Sequence, residues 1–404
     1  MASGDLLMNA GVTSVVTVES VRQRLRMRNA LCETFLHAEA HRLALACEQM
    51  ARRFHDGGRL LAVGRGPCLS DAQHVSVEFV HPVIVGKRAL PALDISSLIG
   101  PGLNAIVEPA DMVMGFGSPP GDPEIAAILR AADARGAMTL ALPGTEGDYF
   151  CQGASDDALV HQEIIEILYH TLWETVHVFL ERRELGFDAG ESGFLYPFLG
   201  QKPQEPGDLV NEVASSIRLK VSDDSVLRNR VAEEEADVIV QAVLGIRERL
   251  GRGGRLLLFG NGGSATDAND FVFDCLLPPA GFTPIPAISF SLEPANVTAI
   301  ANDVGVEMIF LRQLIAHARP ADVAIGISTS GGSANVIAAL AEARKRGLLT
   351  VALLGYDGGE IVRRGLADFA IVVRSDYIPR IQEVQASVYH IMRELLEEKG
   401  HATL

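Results

Sequence analysis

Apolar residues follow two alternating rhythms along this chain. Short unbroken apolar runs bounded by glycine, such as RLLAVG at 59–64 and RLLLFG at 255–260, alternate with stretches whose apolar residues recur every three or four positions. The first rhythm is that of strands buried on both faces of a parallel sheet, the second that of amphipathic helices. A long helix is predicted over 21–54, with Leu25, Leu31, Phe35, Leu43 and Met50 on one stripe, and HDGG ends it. Strands follow at RLLAVG, PALDIS, DMVMGFGS and MTLALPG, with helices between them and a closing helix over 161–185. The same order then repeats: helices over 208–250, five strands, and a closing helix at 380–399. Each half also carries the same order of landmarks: a helix, a glycine pair, Arg-Leu-Leu, a strand, a glycine turn and an Asp-Ala pair (Asp71-Ala72, Asp267-Ala268). The chain is therefore an internal duplication of an α/β unit. Its expected parts are a first domain over 1–190, a linker over 191–207 and a second domain over 208–404. The linker is rich in Gly and Pro, and its Phe194, Leu195, Tyr196 and Phe198 predict that it packs on something.

Composition fits this picture. A chain of 404 residues has room for two cores, and 48% hydrophobic with 21% charged residues is ordinary for a globular protein. A net charge of −16 argues against a nucleic-acid or anionic-membrane surface. No apolar run reaches the roughly 18 residues of a membrane span, and MASGDLLMNAGVTS is not a signal peptide, so a cytoplasmic location is expected. The five cysteines lack CxxC spacing and read as reduced, buried residues.

Two loops carry the candidate chemistry. In RLLLFGNGGS a strand runs into a turn of glycine and asparagine before a helix, leaving backbone N–H groups free at a helix N-terminus. VAIGISTSGGSAN at 323–335 repeats the design with four hydroxyls, Ser328, Thr329, Ser330 and Ser333. Hydroxyls and N–H groups at a helix start suit a phosphate monoester. A single capping serine would be ordinary; four around two glycines exceed what a cap requires.

GNGGSATDA, AIANDVG, RPADVAIGISTSGGSANVI, VALLGYDGGE and RIQEVQ, in this order, resemble the sugar isomerase (SIS) domain of the phosphoheptose isomerase family. The first half resembles it more faintly, through SDAQHVSVE and HQEIIEILYH. The resemblance implies two tandem SIS domains, each a five-stranded parallel sheet in an α/β/α sandwich with an N-terminal helical extension. It implies phosphate binding by Ser328, Thr329, Ser330 and Ser333 and by Asn261, Gly262 and Ser264 of the first loop, and substrate contacts from Asn302, Asp303, Gln382 and His390. It further implies an aldose–ketose isomerase acting on sedoheptulose 7-phosphate, and an even-numbered assembly, here a homodimer forming a pseudo-tetramer of SIS domains.

In that family a metal, usually zinc, is held by a His and a Glu on the helix after the first loop and by a Gln and a His on the closing helix. Here His74, Glu78, Gln162 and His170 supply that set in the first half. In the second half Asp270 and Asp274 stand at the His and Glu positions, while Gln382 and His390 remain. By contrast the first half has GFGSPPGDPE where the phosphate loop should be. The halves thus carry complementary parts, and a composite site is expected: metal from the first half, phosphate loop from the second. Which closing-helix pair, Gln162/His170 or Gln382/His390, faces His74 and Glu78 stays open. By resemblance, Glu78 is the base that moves the C1–C2 proton and His170 its acid/base partner. On spacing alone, His74 and Glu78 would read as a surface pair, and Asp270 and Asp274 as two solvated carboxylates. An arginine that the family places after its metal-binding Glu is absent from both halves, where Pro82 and Pro278 fall. The alternative function is a non-catalytic phosphosugar-binding or partner-binding SIS protein.

Overall fold

The computed structural model describes residues 16–84, 87–98, 102–185 and 206–397. The expected linker, with its four aromatic and apolar residues, lies outside the described residues up to position 205.

Helix α1 (Val18–His55) starts at Thr17, which exchanges capping-box hydrogen bonds with Ser20. The first half continues as β1 (Leu60–Gly64), α2 (Leu69–Val80), β2 (Ala92–Asp94), α3 (Leu103–Ile106), β3 (Met112–Phe116), α4 (Pro123–Asp133), β4 (Met138–Leu142), β5 (Tyr149–Phe150) and α5 (Ala158–Leu185). The second half runs α6 (Pro206–Glu234), α7 (Ala236–Gly251), β6 (Leu256–Phe259), α8 (Gly263–Leu276), β7 (Ala287–Ser289), α9 (Pro294–Asp303) and α10 (Ile309–His317). It closes with β8 (Val323–Ser328), α11 (Ala334–Lys345), β9 (Leu349–Gly355), α12 (Gly359–Arg363), β10 (Phe369–Val373) and α13 (Ile378–Glu397).

The two sheets are five-stranded, parallel throughout, and have the same order, β2-β1-β3-β4-β5 and β7-β6-β8-β9-β10. The duplication reaches single contacts. Asp111 accepts from the backbone N–H and guanidinium of Arg59 at the foot of β1, and Asp322 does the same for Arg255 at the foot of β6. Strands β1, β3, β4, β6 and β8 are buried along their whole length, as uninterrupted apolar runs require.

The helical extensions do not respect the halves. Cys32 to Phe54 of α1 pack into the first core, while Val21 and Leu25 at its start lie in the second. Helix α6 does the reverse: Val213, Ile217 and Val221 belong to the first core and Val231 and Ala232 to the second. Each half is thus completed by a helix that also serves the other.

Candidate active site

Both sheets present a loop and a helix N-terminus at the carboxyl ends of their strands, where α/β proteins bind ligands. Helices α2 and α8, which follow β1 and β6, meet across the molecule. Ser70 Oγ donates to Asp270 Oδ1 at 2.7 Å, and Asn269 Nδ2 donates to Gln73 Oε1 at 3.0 Å. The closing helices α5 and α13 pack against them, and the contact buries titratable side chains in number: His74, Glu78, Glu163, Glu166, His170, Asp270, Asp274, Glu383 and His390. His74 and Glu78 are therefore no surface pair. Nor are Asp270 and Asp274 solvated, being 2% and 5% exposed. The facing of α2 on α8 turns these polar stripes inward, which helical spacing alone does not disclose.

Two clusters result. In the first, His74 Nε2 lies 3.7 Å from Glu78 Oε1, 3.3 Å from His170 Nε2 and 3.5 Å from Gln382 Nε2. Three of these residues come from the first half and Gln382 from the second. In the other, His390 Nε2 lies 3.2 Å from Asp270 Oδ2 and 3.1 Å from Asp274 Oδ2, and Gln162 Nε2 donates to Asp71 at 3.0 Å. So the His and the Gln of each closing helix part company. His170 and Gln382 join His74 and Glu78, while His390 and Gln162 stay with the aspartates.

The hydrogen-bond partners of His170 fix its tautomer. His170 Nδ1 is 3.0 Å from Glu383 Oε1, and Arg380 donates to both Glu383 oxygens at 2.8 and 2.6 Å. A carboxylate only accepts, so Nδ1 carries the hydrogen and Nε2 presents a lone pair. His74 turns Nδ1 toward Asp267 Oδ1 at 3.6 Å, a charge contact too long for a hydrogen bond, and its Nε2 faces the His170 lone pair at 3.3 Å. That lone pair accepts a hydrogen from His74 Nε2, or both nitrogens are free for a metal when His74 carries its hydrogen on Nδ1. Burial and the neighbouring His74 take His170 down to about 3, so it stays neutral. Burial opposes charge on His74, yet Glu78 and then Asp267 outweigh it and raise its pKa. Glu78 Oε2 and Gln382 Oε1 are buried without partners. An exchange of the amide O and N would turn the Gln382 oxygen to His74. Two neutral imidazoles, a carboxylate and an amide oxygen fit zinc or a similar divalent metal, and the carboxylates behind both histidines match the usual support of metal-bound imidazole.

Neither Asp267 nor Glu383 was singled out for chemistry from the sequence, although Asp267 marks the repeat and Glu383 lies in RIQEVQ. Burial pushes the Asp267 carboxyl up to about 7. Glu166, buried with both oxygens unpartnered, is also raised well above the carboxylate range by burial and then by Asp267. Glu163 belongs to the aspartate cluster: burial would raise it, but Arg28 and His390 bring it to about 2.

The serine loop follows β8 at the carboxyl end of the second sheet. Ser328 is buried with its Oγ 3.1 Å from Ser333 Oγ, Thr329 is half-buried, and exposed Ser330 accepts from the Gly332 N–H at 3.2 Å. Gly331, at φ 60°, lies where a Cβ would fall 2.1 Å from the Gly358 carbonyl oxygen. The first loop ties the serine loop to the metal cluster. Asn261 and Asn335 exchange amide bonds of 2.9 and 2.8 Å, Gly262 takes φ 57°, and Ser264 is buried in the first turn of α8. A Cβ on Gly263 would lie 1.9 Å from Gln382 Nε2 and 2.8 Å from His74 Nε2. Asn302 and Asp303, by contrast, are exposed at the end of α9, where Asn302 Nδ2 donates to Asp303 at 2.8 Å.

The SIS domain sequence pattern matches residues 223–355. The phosphoheptose isomerase of Chlorobaculum tepidum is 44% identical over 180 residues, spanning 43% of this chain and 83% of that one. That of Geotalea daltonii is 40% identical over 195 residues, spanning 47% and 97%. The C-terminal domain of glucosamine-fructose-6-phosphate aminotransferase from Francisella tularensis shares the fold alone, with a TM-score of 0.56 at 9% identity over 97% of each chain. Duplicated parallel sheets with a serine-rich loop define a tandem SIS architecture. The chain belongs to the SIS family, with phosphoheptose isomerases as relatives of its C-terminal half.

Proposed function

We propose that the protein is a metal-dependent aldose–ketose isomerase of a phosphosugar, with sedoheptulose 7-phosphate as substrate and a heptose 7-phosphate as product. The observation that carries this reading is the convergence of His74, Glu78, His170 and Gln382 beside a first loop that is bonded to the serine loop. The relatives' shared name, phosphoheptose isomerase, supports the choice of sugar.

The serine loop anchors the phosphate through the hydroxyls of Ser328, Thr329, Ser330 and Ser333 and the N-terminus of α11, with Asn261, Gly262 and Ser264 flanking it. His74, Glu78, His170 and Gln382 would hold zinc, which when bound would supply Lewis acidity toward the sugar carbonyl. Glu78 Oε2, free of protein partners, takes the proton from C1 of the ketose and returns it to C2, while the electron pair passes through the enediol double bond. His170 has one nitrogen to offer, since Nδ1 is committed to Glu383, so in the metal-bound protein it is a ligand. Hydroxyl protons exchange freely with water; only the carbon-bound proton needs a dedicated base.

Proton NMR of sedoheptulose 7-phosphate with the protein in D₂O tests this. An aldose anomeric signal and deuterium at C2, lost on chelation and restored by zinc, is the expected result. Absence of exchange with zinc present overturns it in favour of a phosphosugar-binding protein.

A further inference from the structure

The second cluster opens onto a cavity of about 540 Å³ lined by both halves, within the range of small-molecule sites. By the duplication it is the twin of the phosphosugar site, yet its chemistry is inverted. Ser118 and Pro119 line it where the serine loop should be, and a proline has no N–H to offer an anion. Among the described residues five aspartates line it, Asp71, Asp156, Asp157, Asp270 and Asp274, with no lysine or arginine. His390 lies behind Asp270 and Asp274, and burial raises Asp71 well above the carboxylate range, so the three buried aspartates offer less charge than their number suggests, beside the exposed Asp156 and Asp157.

A second observation stands apart from the carboxylates. His161 lines the same cavity and is 3% exposed. Its Nδ1 accepts from the Ala154 N–H at 3.2 Å, so Nε2 carries the hydrogen, and that N–H has no partner. A buried donor left unpaired is costly, and a ligand acceptor would satisfy it. Phe282, Pro279 and Leu277 supply apolar wall. We propose that this cavity is a second binding site, for a small hydroxylated amine of the amino-sugar class without a phosphate. Its ammonium meets the aspartates and a hydroxyl accepts from His161 Nε2. The site does not depend on the isomerase reading, because no residue of the His74 cluster or the serine loop lines it.

Calorimetric titration of the full chain with D-glucosamine, D-glucose and D-glucosamine 6-phosphate tests the assignment. Glucosamine binds one per chain, and glucose binds at least about tenfold more weakly, a difference of about 1.4 kcal/mol. Ala280 is an exposed residue of the rim, and Ala280→Trp covers the mouth without disturbing the core. It abolishes glucosamine binding and leaves any binding of the 6-phosphate at the serine loop unchanged. His161→Leu, which keeps the apolar volume and removes the donor, weakens glucosamine about tenfold. Failure of glucosamine to bind, equal binding by glucose, or undiminished binding to Ala280→Trp each overturns the proposal. Turnover is not the readout, so an inactive protein that passes these tests leaves the second site standing.

Discussion

Glu78 and Gln382 each carry a buried oxygen without a partner, on opposite sides of the contact between the two halves. Glu78→Gln keeps the shape of the side chain and removes the base, and turnover is expected to fall by roughly 10²–10⁴-fold with the fold intact. Solvent-deuterium exchange into substrate checks it. Metal content separates the two glutamines: Gln382→Ala lowers zinc retained after dialysis against a weak chelator, while Gln162→Ala leaves it unchanged, because Gln162 bonds Asp71 instead. Equal loss in both would return Gln162 to the metal set. At this scale the sequence told part of the story. The spacing of His74 and Glu78 and their match to the family motif were readable. The buried supports, Asp267 behind His74 and Glu383 behind His170, were not, because a carboxylate earns its role from what faces it across the fold.

At the scale of elements, the strands and long helices were legible, since unbroken apolar runs and three-to-four spacing are local properties. Which closing helix faces α2 was not local. Helices α5 and α13 both carry a Gln and a His at matching positions, and only the way the halves dock sends His170 and Gln382 to one cluster and His390 and Gln162 to the other. The docking leaves its mark on the start of α8. Gly263→Ala would drive a Cβ to 1.9 Å from Gln382 Nε2, so the amide must swing away. The expected outcome is a folded protein, by circular dichroism, that has lost zinc affinity and turnover together. Retention of both would show that Gln382 is not needed.

For the whole molecule, pH and metal act through the buried clusters. Burial lifts Asp267 to about 7 and Asp274 to about 6, and His74 and His390 are raised as well. A group whose folded pKa exceeds its unfolded value contributes stability that is lost as pH rises through the folded pKa. His161, held down to about 4, and His170, about 3, act oppositely, but only below their ordinary value near 6.5. Above that pH buried Lys220, held well below its ordinary value, still opposes them, but the raised Asp71, Glu166, Asp224 and Asp267 outnumber it, so the metal-free protein is expected to lose Tm between pH 6.5 and 8. Zinc needs deprotonated ligands, so it should restore more Tm at pH 8 than at pH 6.5. Differential scanning calorimetry with and without chelator checks both signs; a Tm that rises with pH in the metal-free protein contradicts them. The shared helices predict a further property. Val21 and Leu25 of α1 lie in the second core and Val213, Ile217 and Val221 of α6 in the first, each fully buried side chain contributing roughly 1.5–3 kcal/mol. Cleavage at a protease site placed at 196 should leave the two pieces in one peak on size exclusion, separable only by denaturant.

Having both clusters in one polypeptide has a consequence for how such a protein can change over generations. In an assembly of identical chains one codon writes a residue into every copy of a site, so a histidine lost from one site is lost from all. Here His74 and Asp270 occupy twin positions under separate codons. The tandem arrangement removes that constraint, leaving one centre free to drift toward a new ligand while the other is held to its chemistry.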